Sequence, residues 1–189
     1  MTERRAELFV EPDAPKPAAL DFPDVGPYGG RRCEIIDGAL YVSPAPSRNH
    51  QRAVVRLIAK LEAACPSGIE VLVAPVDYRP TPEHLLQADV IICHPDDHDP
   101  RYAVKPLLLA VEILSPSTRM LDLLLKRGVY EQAGVRSYWI LDPEKETLTV
   151  LELVDGVYVE RDVVSGEKVY DATLPFPVRI APAELLRSR

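Results

Sequence analysis

Apolar positions along this chain change their period several times, and each change marks an element. Between Leu107 and Pro143 the sequence reads LLLAVEILSPSTRMLDLLLKRGVYEQAGVRSYWILDP. Its opening apolar run is too short to span a membrane and reads as a buried strand. Ser115-Pro116-Ser117 breaks that strand and offers hydroxyls to cap a helix. A helical pattern follows and stops at Gly134, the residue type expected just past a helix C-terminus. Ser137 to Asp142 reads as a second strand. Strand, helix and strand at this spacing predict a βαβ unit with parallel strands and a right-handed crossover. Within the helix, Leu121, Leu125 and Val129 recur four apart and are expected to pack on the sheet. Asp122, Lys126 and Tyr130 recur four apart on a different face.

The rest of the chain falls around this block. Cys33 to Ser43 alternates as a β-hairpin, with Asp37-Gly38 supplying the positive φ angles of a tight turn. From about Ser47 to Ala64 the pattern is helical, with Val54, Leu57, Ile58 and Leu61 on one face, Ser47 as the N-cap and His50 in the first turn. Ile69 to Arg79 reads as a strand broken near Pro75, and Ala88 to Cys93 as a short apolar strand that begins beside Asp89. Thr147 to Val154 and Val157 to Val164 form a second hairpin around Asp155-Gly156. A strand near Val178 to Ile180 leads into a terminal helical turn. The class is α/β (α+β), a mixed β-sheet flanked by few helices. Pro12, Pro15 and Pro17 prevent a helix of any length near the start, so residues 1–30 are expected to form an extended N-terminal arm on a single domain spanning 31–189.

Composition narrows the function classes. The 189 residues carry a net charge of −7, so no overall basic field attracts nucleic acid. That weighs against a protein that coats DNA, and less against an enzyme whose metal site is itself acidic. Cys33, Cys65 and Cys93 are far apart with no C-x-x-C pair, which points to reduced thiols in a cytoplasmic protein. No segment reads as a signal peptide or a membrane span.

Asp89 and Glu112 are the residues most apt to carry chemistry. Each sits on or beside a short apolar strand, where an uncompensated charge is costly. A bound cation would compensate them, since Mg²⁺ takes one or two carboxylates and keeps several waters. The plainer reading puts Asp89 at a strand edge in water and pairs Glu112 with an arginine. Leu114 shares a strand face with Glu112 and cannot orient water, so if the site needs a cation there it has to arrive from elsewhere, and the following helix with Lys126 is the nearest source. Its plainer role is a surface pair with Asp122. Arg31, Arg32, Arg48, Arg52, Arg119 and Arg127 lie near this region in sequence and could line a groove. Trp139 reads as core.

Several blocks together resemble the Uma-type restriction-endonuclease-like domains, a branch of the PD-(D/E)XK nuclease superfamily. EIIDGALYVSPAPSRNHQ resembles that family's opening hairpin and first helix, and QADVIIC its segment around the first metal-binding Asp. AVEILSPST, the Asp122 and Lys126 spacing, and YEQAGVRSYWILDP resemble its central βαβ block. The resemblance covers about Cys33 to Leu153. It implies a restriction-endonuclease-like mixed sheet and a Mg²⁺- or Mn²⁺-dependent endonuclease that hydrolyses DNA phosphodiester bonds. It implies Asp89, Glu112 and the Ile113 carbonyl as metal ligands, with Glu34 reaching the metal through water. Lys126 would replace the Lys of the E-x-K pattern, and His50, Asp122 and Tyr130 would support the site or contact substrate. Ala88 departs from the superfamily's Pro, and Leu114 from its Lys. The partners implied are DNA and, for cutting two strands, a second copy in a homodimer, with no membrane. Two alternatives stand beside this reading. One is a nuclease fold without activity, acting as a scaffold or binding module. The other is a metallohydrolase of a small phosphorylated substrate.

Overall fold

The computed structural model describes residues 9–11, 32–95, 98–99, 102–103 and 106–187. Apart from Phe9–Glu11, the expected N-terminal arm lies outside the described residues. Phe9–Glu11 forms β1, which pairs antiparallel with β3, Ala39–Ser43. On its other side β3 pairs with β2, Arg32–Ile36, to make the expected hairpin. The turn carries φ of 52° at Asp37 and 75° at Gly38. Two successive positive φ values suit the right-handed twist of the strands it joins.

Helix α1, Arg48–Ala64, begins at Ser47, whose side chain accepts from the His50 N–H. It buries Ala53, Val54, Leu57 and Leu61 against a six-stranded mixed sheet. That sheet contains β4 (Glu70–Val73), β6 (Val90–Cys93), β9 (Leu109–Ile113), β10 (Ser137–Asp142), β11 (Thr147–Val154) and β12 (Val157–Ser165). Its order is β12-β11-β10-β9-β6-β4. Strands β9 and β10 are parallel, as the βαβ pattern requires, and their neighbours run antiparallel. Three short strands, β5 (Asp77–Tyr78), β7 (His98–Asp99) and β8 (Tyr102–Ala103), make a separate sheet. The chain closes with β13 (Tyr170–Ala172), β14 (Val178–Ile180) and α3 (Pro182–Leu186).

Side chains of the sheet divide between two cores. Val111, Ile113, Trp139 and Leu141 face α1, with Tyr170 edge-on to the Trp139 ring. Ala110, Leu114, Tyr138 and Ile140 face the other way, toward Leu121, Val129 and Tyr130 of the crossover segment. Trp139 is thus core, as its sequence context suggested.

One expectation is overturned here. The crossover does not keep α-helical spacing. Leu121–Lys126 is a π-helical turn that passes into α2, Arg127–Gln132. Bonding from i to i+5 inserts a residue into the turn, so the row that faces the sheet runs from Leu121 to Lys126 rather than Leu121 to Leu125. Leu125 is therefore 40% exposed, whereas Lys126 is completely buried. The segment ends as expected at Gly134, with φ of 76°. There the Val135 N–H reaches back to the Tyr130 carbonyl and the Gly134 N–H to that of Glu131.

Candidate active site

Strand register brings the two principal carboxylates together. Val90 pairs with Val111 and Ile91 with Ala110 across the antiparallel β6–β9 ladder. Continuing that register by one residue sets Asp89 opposite Glu112, on the sheet face that the crossover covers. Both are almost fully buried, Asp89 at 3% and Glu112 at 1% exposure. Asp89 Oδ2 accepts from the Ile113 N–H at 2.8 Å and lies 3.0 Å from His50 Nε2. Helix α1 supplies that imidazole from its first turn, so the Ser47 cap also positions His50.

Further groups come from the hairpin and the crossover. Lys126 Nζ lies 2.5 Å from Glu112 Oε1, 2.8 Å from Glu34 Oε1 and 3.4 Å from Asp122 Oδ1. Tyr130 donates its hydroxyl to Glu112 Oε1 at 2.9 Å. The Gln87 N–H donates to Glu34 Oε1 at 2.8 Å, and the Thr118 hydroxyl to Asp122 Oδ2 at 2.8 Å. The Tyr138 hydroxyl fixes the main chain beneath, donating to the Asp122 carbonyl at 2.9 Å. Arg32 reaches in from β2. Its Nη1 is 2.9 Å from Asp89 Oδ1, its Nη2 3.6 Å from Glu112 Oε2, and its Nε 3.6 Å from Glu34 Oε2.

Glu34, Asp89, Glu112 and Asp122 thus stand against two permanent cations, Arg32 and Lys126. The imbalance sets the proton affinity of each group. Burial, together with the charges of Asp122 and Asp89, pushes the Glu112 carboxyl up to about 8 despite Lys126 beside it. Burial likewise raises Asp122 against the pull of Lys126. Burial also works against ionising Asp89, but the His50 hydrogen bond and Arg32 outweigh it and hold that carboxyl well below its usual range. Glu34 is lowered in the same way, burial being overcome by Lys126 and Arg32. Lys126 is itself raised: burial disfavours its charge, but Glu112 and Glu34 more than restore it. It is a fixed positive charge, not a base.

The donor set suits a hard divalent cation. Carboxylate oxygens are the ligands Mg²⁺ and Mn²⁺ prefer, and the excess of negative charge is what such an ion would neutralise. Among the described residues, however, no three His, Cys, Asp or Glu side chains are grouped closely enough to hold a metal ion as they stand. Arg32 lies between them. Binding there requires the carboxylates to close in where the guanidinium now sits.

Every side chain singled out from the sequence is brought to this cluster: Asp89, Glu112, Lys126, Glu34, His50, Asp122 and Tyr130. Ile113 joins through its N–H on Asp89. The plainer surface role for Lys126 fails, since it is 0% exposed and its pair with Asp122 is buried. The arginines divide differently from the expectation of a common groove. Arg32 points into the cluster, and Arg119 is tied to Asp142 at 2.7 Å. Arg48 and Arg127 are exposed, Arg52 bonds to Asn49, and Arg31 lies outside the described residues. Sequence reasoning placed Arg32 only among residues that could line a groove and missed it as a partner of the carboxylates. The signal was there, because residues two apart on a strand share a face and Arg32 stands two before Glu34. Gln87 and Thr118 were missed for a different reason: one acts through its backbone, and both depend on loops whose path no local pattern fixes.

Among the described residues, no helix is long and apolar enough to cross a membrane. A search of curated proteins gives no match. Among solved structures, the chain is similar to the crystal structure of a "putative nuclease" from Anabaena variabilis. That match has a TM-score of 0.66 and 14% identity, covering 88% of this chain and 93% of the other. At that identity the likeness speaks for the fold alone. The family profile Uma2, described as "Putative restriction endonuclease", matches residues 21–184. With most of its length inside that match, and with a mixed six-stranded sheet flanked by helices, the chain belongs to the Uma2 family of restriction-endonuclease-like proteins.

Proposed function

We propose that the protein is a Mg²⁺- or Mn²⁺-dependent endonuclease that hydrolyses DNA phosphodiester bonds at the Asp89–Glu112 cluster. The observation that carries this reading is a buried site with four carboxylates and only two permanent cations, set where two strands of a nuclease-family fold end. Asp89 and Glu112 would hold the ion, with the Ile113 carbonyl and Glu34 completing or supporting its shell. The ion would polarise the scissile phosphate and acidify a water. In the hydrolysis, the water oxygen bonds to phosphorus, the bond to the leaving oxygen breaks, and the leaving group takes up a proton. Lys126, permanently charged, orients Glu112 and offsets charge that develops on the phosphate. Tyr130 and His50 hold Glu112 and Asp89 in fixed orientations. Among the described arginines near the site, Arg48, Arg52 and Arg127 are left to contact the backbone of DNA. One site per chain and two strands to cut favour a two-fold homodimer.

A second reading is a nuclease fold kept as a binding module. The Arg32 guanidinium between the carboxylates favours it, because that side chain already meets part of their charge. Plasmid nicking and linearisation with Mg²⁺, Mn²⁺ or EDTA separates the two. Cleavage that needs the ion and falls by at least a hundredfold in Glu112→Ala and in Lys126→Ala supports the enzyme. Unaltered cleavage in either folded variant sinks the mechanism. No cleavage by wild type with either ion moves the weight to the binding module.

A further inference from the structure

Arg32 is placed unlike any other side chain in the cluster. Each of three carboxylates has one oxygen anchored in the protein. Asp89 Oδ2 is held by His50 and the Ile113 N–H, Glu112 Oε1 by Lys126 and Tyr130, and Glu34 Oε1 by Lys126 and the Gln87 N–H. The remaining oxygens, Asp89 Oδ1, Glu112 Oε2 and Glu34 Oε2, all turn toward the same guanidinium. Three hard oxygens, each on a carboxylate whose other oxygen is held, thus surround one positive group, and they would have to draw closer together to hold a small cation in its place.

The guanidinium fills that position poorly. Among the described residues only its Nη1 makes a hydrogen bond, at 2.9 Å to Asp89. Its Nε and Nη2 are buried without a hydrogen-bond partner, and their 3.6 Å separations from Glu34 and Glu112 are too long to count as one. Buried donors left unmade cost free energy, so this arrangement is held by charge more than by fit. Arg32 also has a way out. Its side chain is 22% exposed, whereas that of Lys126, the other cation, is 0% exposed.

We propose that Arg32 is a resident counter-ion occupying the divalent-cation position, and that metal binds by exchange: the guanidinium swings outward as the ion enters. The idea rests on the endonuclease reading for its metal and adds how that site is controlled. Released, Arg32 stands at the mouth of the site with its charge free for a phosphate oxygen. The exchange makes the metal-free protein stable, and it makes metal affinity weaker than the oxygens alone would give.

The test is calorimetric titration of Mn²⁺ into full-length wild type, Arg32→Ala and Arg32→Ala/Glu112→Gln, with thermal unfolding in EDTA and in Mn²⁺. The expected result is an Mn²⁺ affinity at least tenfold tighter in Arg32→Ala than in wild type, lost again in the double variant. Arg32→Ala should melt lower than wild type in EDTA and gain more from Mn²⁺. Equal or weaker affinity in folded Arg32→Ala, with wild type still binding, overturns the exchange and leaves the metal site standing. No binding to either protein overturns both. Should Arg32→Ala fail to fold, wild type answers alone through the Arg32 Nε–H resonance, assigned with Arg32→Lys, during Mg²⁺ titration. A shift that follows saturation supports exchange, and a resonance that stays in place overturns it.

Discussion

Lys126 shows how much one side chain can be asked to carry. It has no exposed surface and touches three carboxylates, two of which also meet Arg32. Removing one partner of a buried ionic cluster strands the others, a loss of about 3–5 kcal/mol. Lys126→Met should therefore lower the unfolding free energy of the metal-free protein, read from urea titration, by that much, although methionine fills most of the volume. A change under about 1 kcal/mol would mean that the carboxylates simply take up protons instead. The shifted proton affinities also set a pH dependence. Glu112 and Asp122 are raised by burial, so their contribution to stability is complete below the usual carboxylate range and is lost as pH rises, for Glu112 through about 8. Asp89 and Glu34 are lowered, so theirs is complete above that range and lost only on strong acidification. In EDTA, stability should decline from pH 5 to 8 by no more than about 1.4 kcal/mol per pH unit for each proton released. Glu112→Gln should flatten the decline, and thermal melts across that window would show it. Mn²⁺ binding should release a proton below pH 8, read as a binding enthalpy that varies with the ionisation heat of the buffer.

At the level of elements, the π-helical turn decides which residues reach the sheet. Because Leu125 is turned outward and Leu121 is 2% exposed, Leu125→Gln should cost less than about 1 kcal/mol and Leu121→Ala about 2–5 kcal/mol. Equal losses in denaturant titrations would argue for a regular α-helix instead. This is also where the sequence was least legible. The two Asp-Gly hairpins, the Ser47 cap and the Gly134 stop each depend on residues with strong local preferences, and each appears where those preferences put it. An i to i+5 turn has no such marker, since Leu121 to Val129 satisfies a four-residue repeat equally well on paper. The acidic face survived that error because Lys126 lies just beyond the inserted residue and is turned inward with Asp122 and Tyr130. Arg32 was expected only to line a groove, because a basic residue at the head of a strand is usually solvated. Only the packing of the hairpin over β6 and β9 makes it a partner of three carboxylates.

For the whole molecule, a net charge of −7 means that any hold on DNA is local. Of the arginines near the site among the described residues, Arg32 and Arg119 are engaged by carboxylates, which leaves Arg48, Arg52 and Arg127 for phosphates. Affinity for duplex DNA should then fall gently with salt, with a log–log slope of about −3 or shallower. A slope steeper than about −6, by fluorescence anisotropy in Ca²⁺, would demand a basic surface beyond these residues. The antiparallel ladder between β6 and β9 has one further consequence, for what evolution or an engineer can change. Asp89 and Glu112 face each other only because their strands keep count from Val90 and Val111 onward. A single residue added inside β9 ahead of Glu112 would turn that carboxylate toward Trp139 and the opposite core. Length variation should therefore be confined to the connections, such as the turn at Asp155-Gly156, while the four and five residues of these two strands admit substitution but no insertion or deletion.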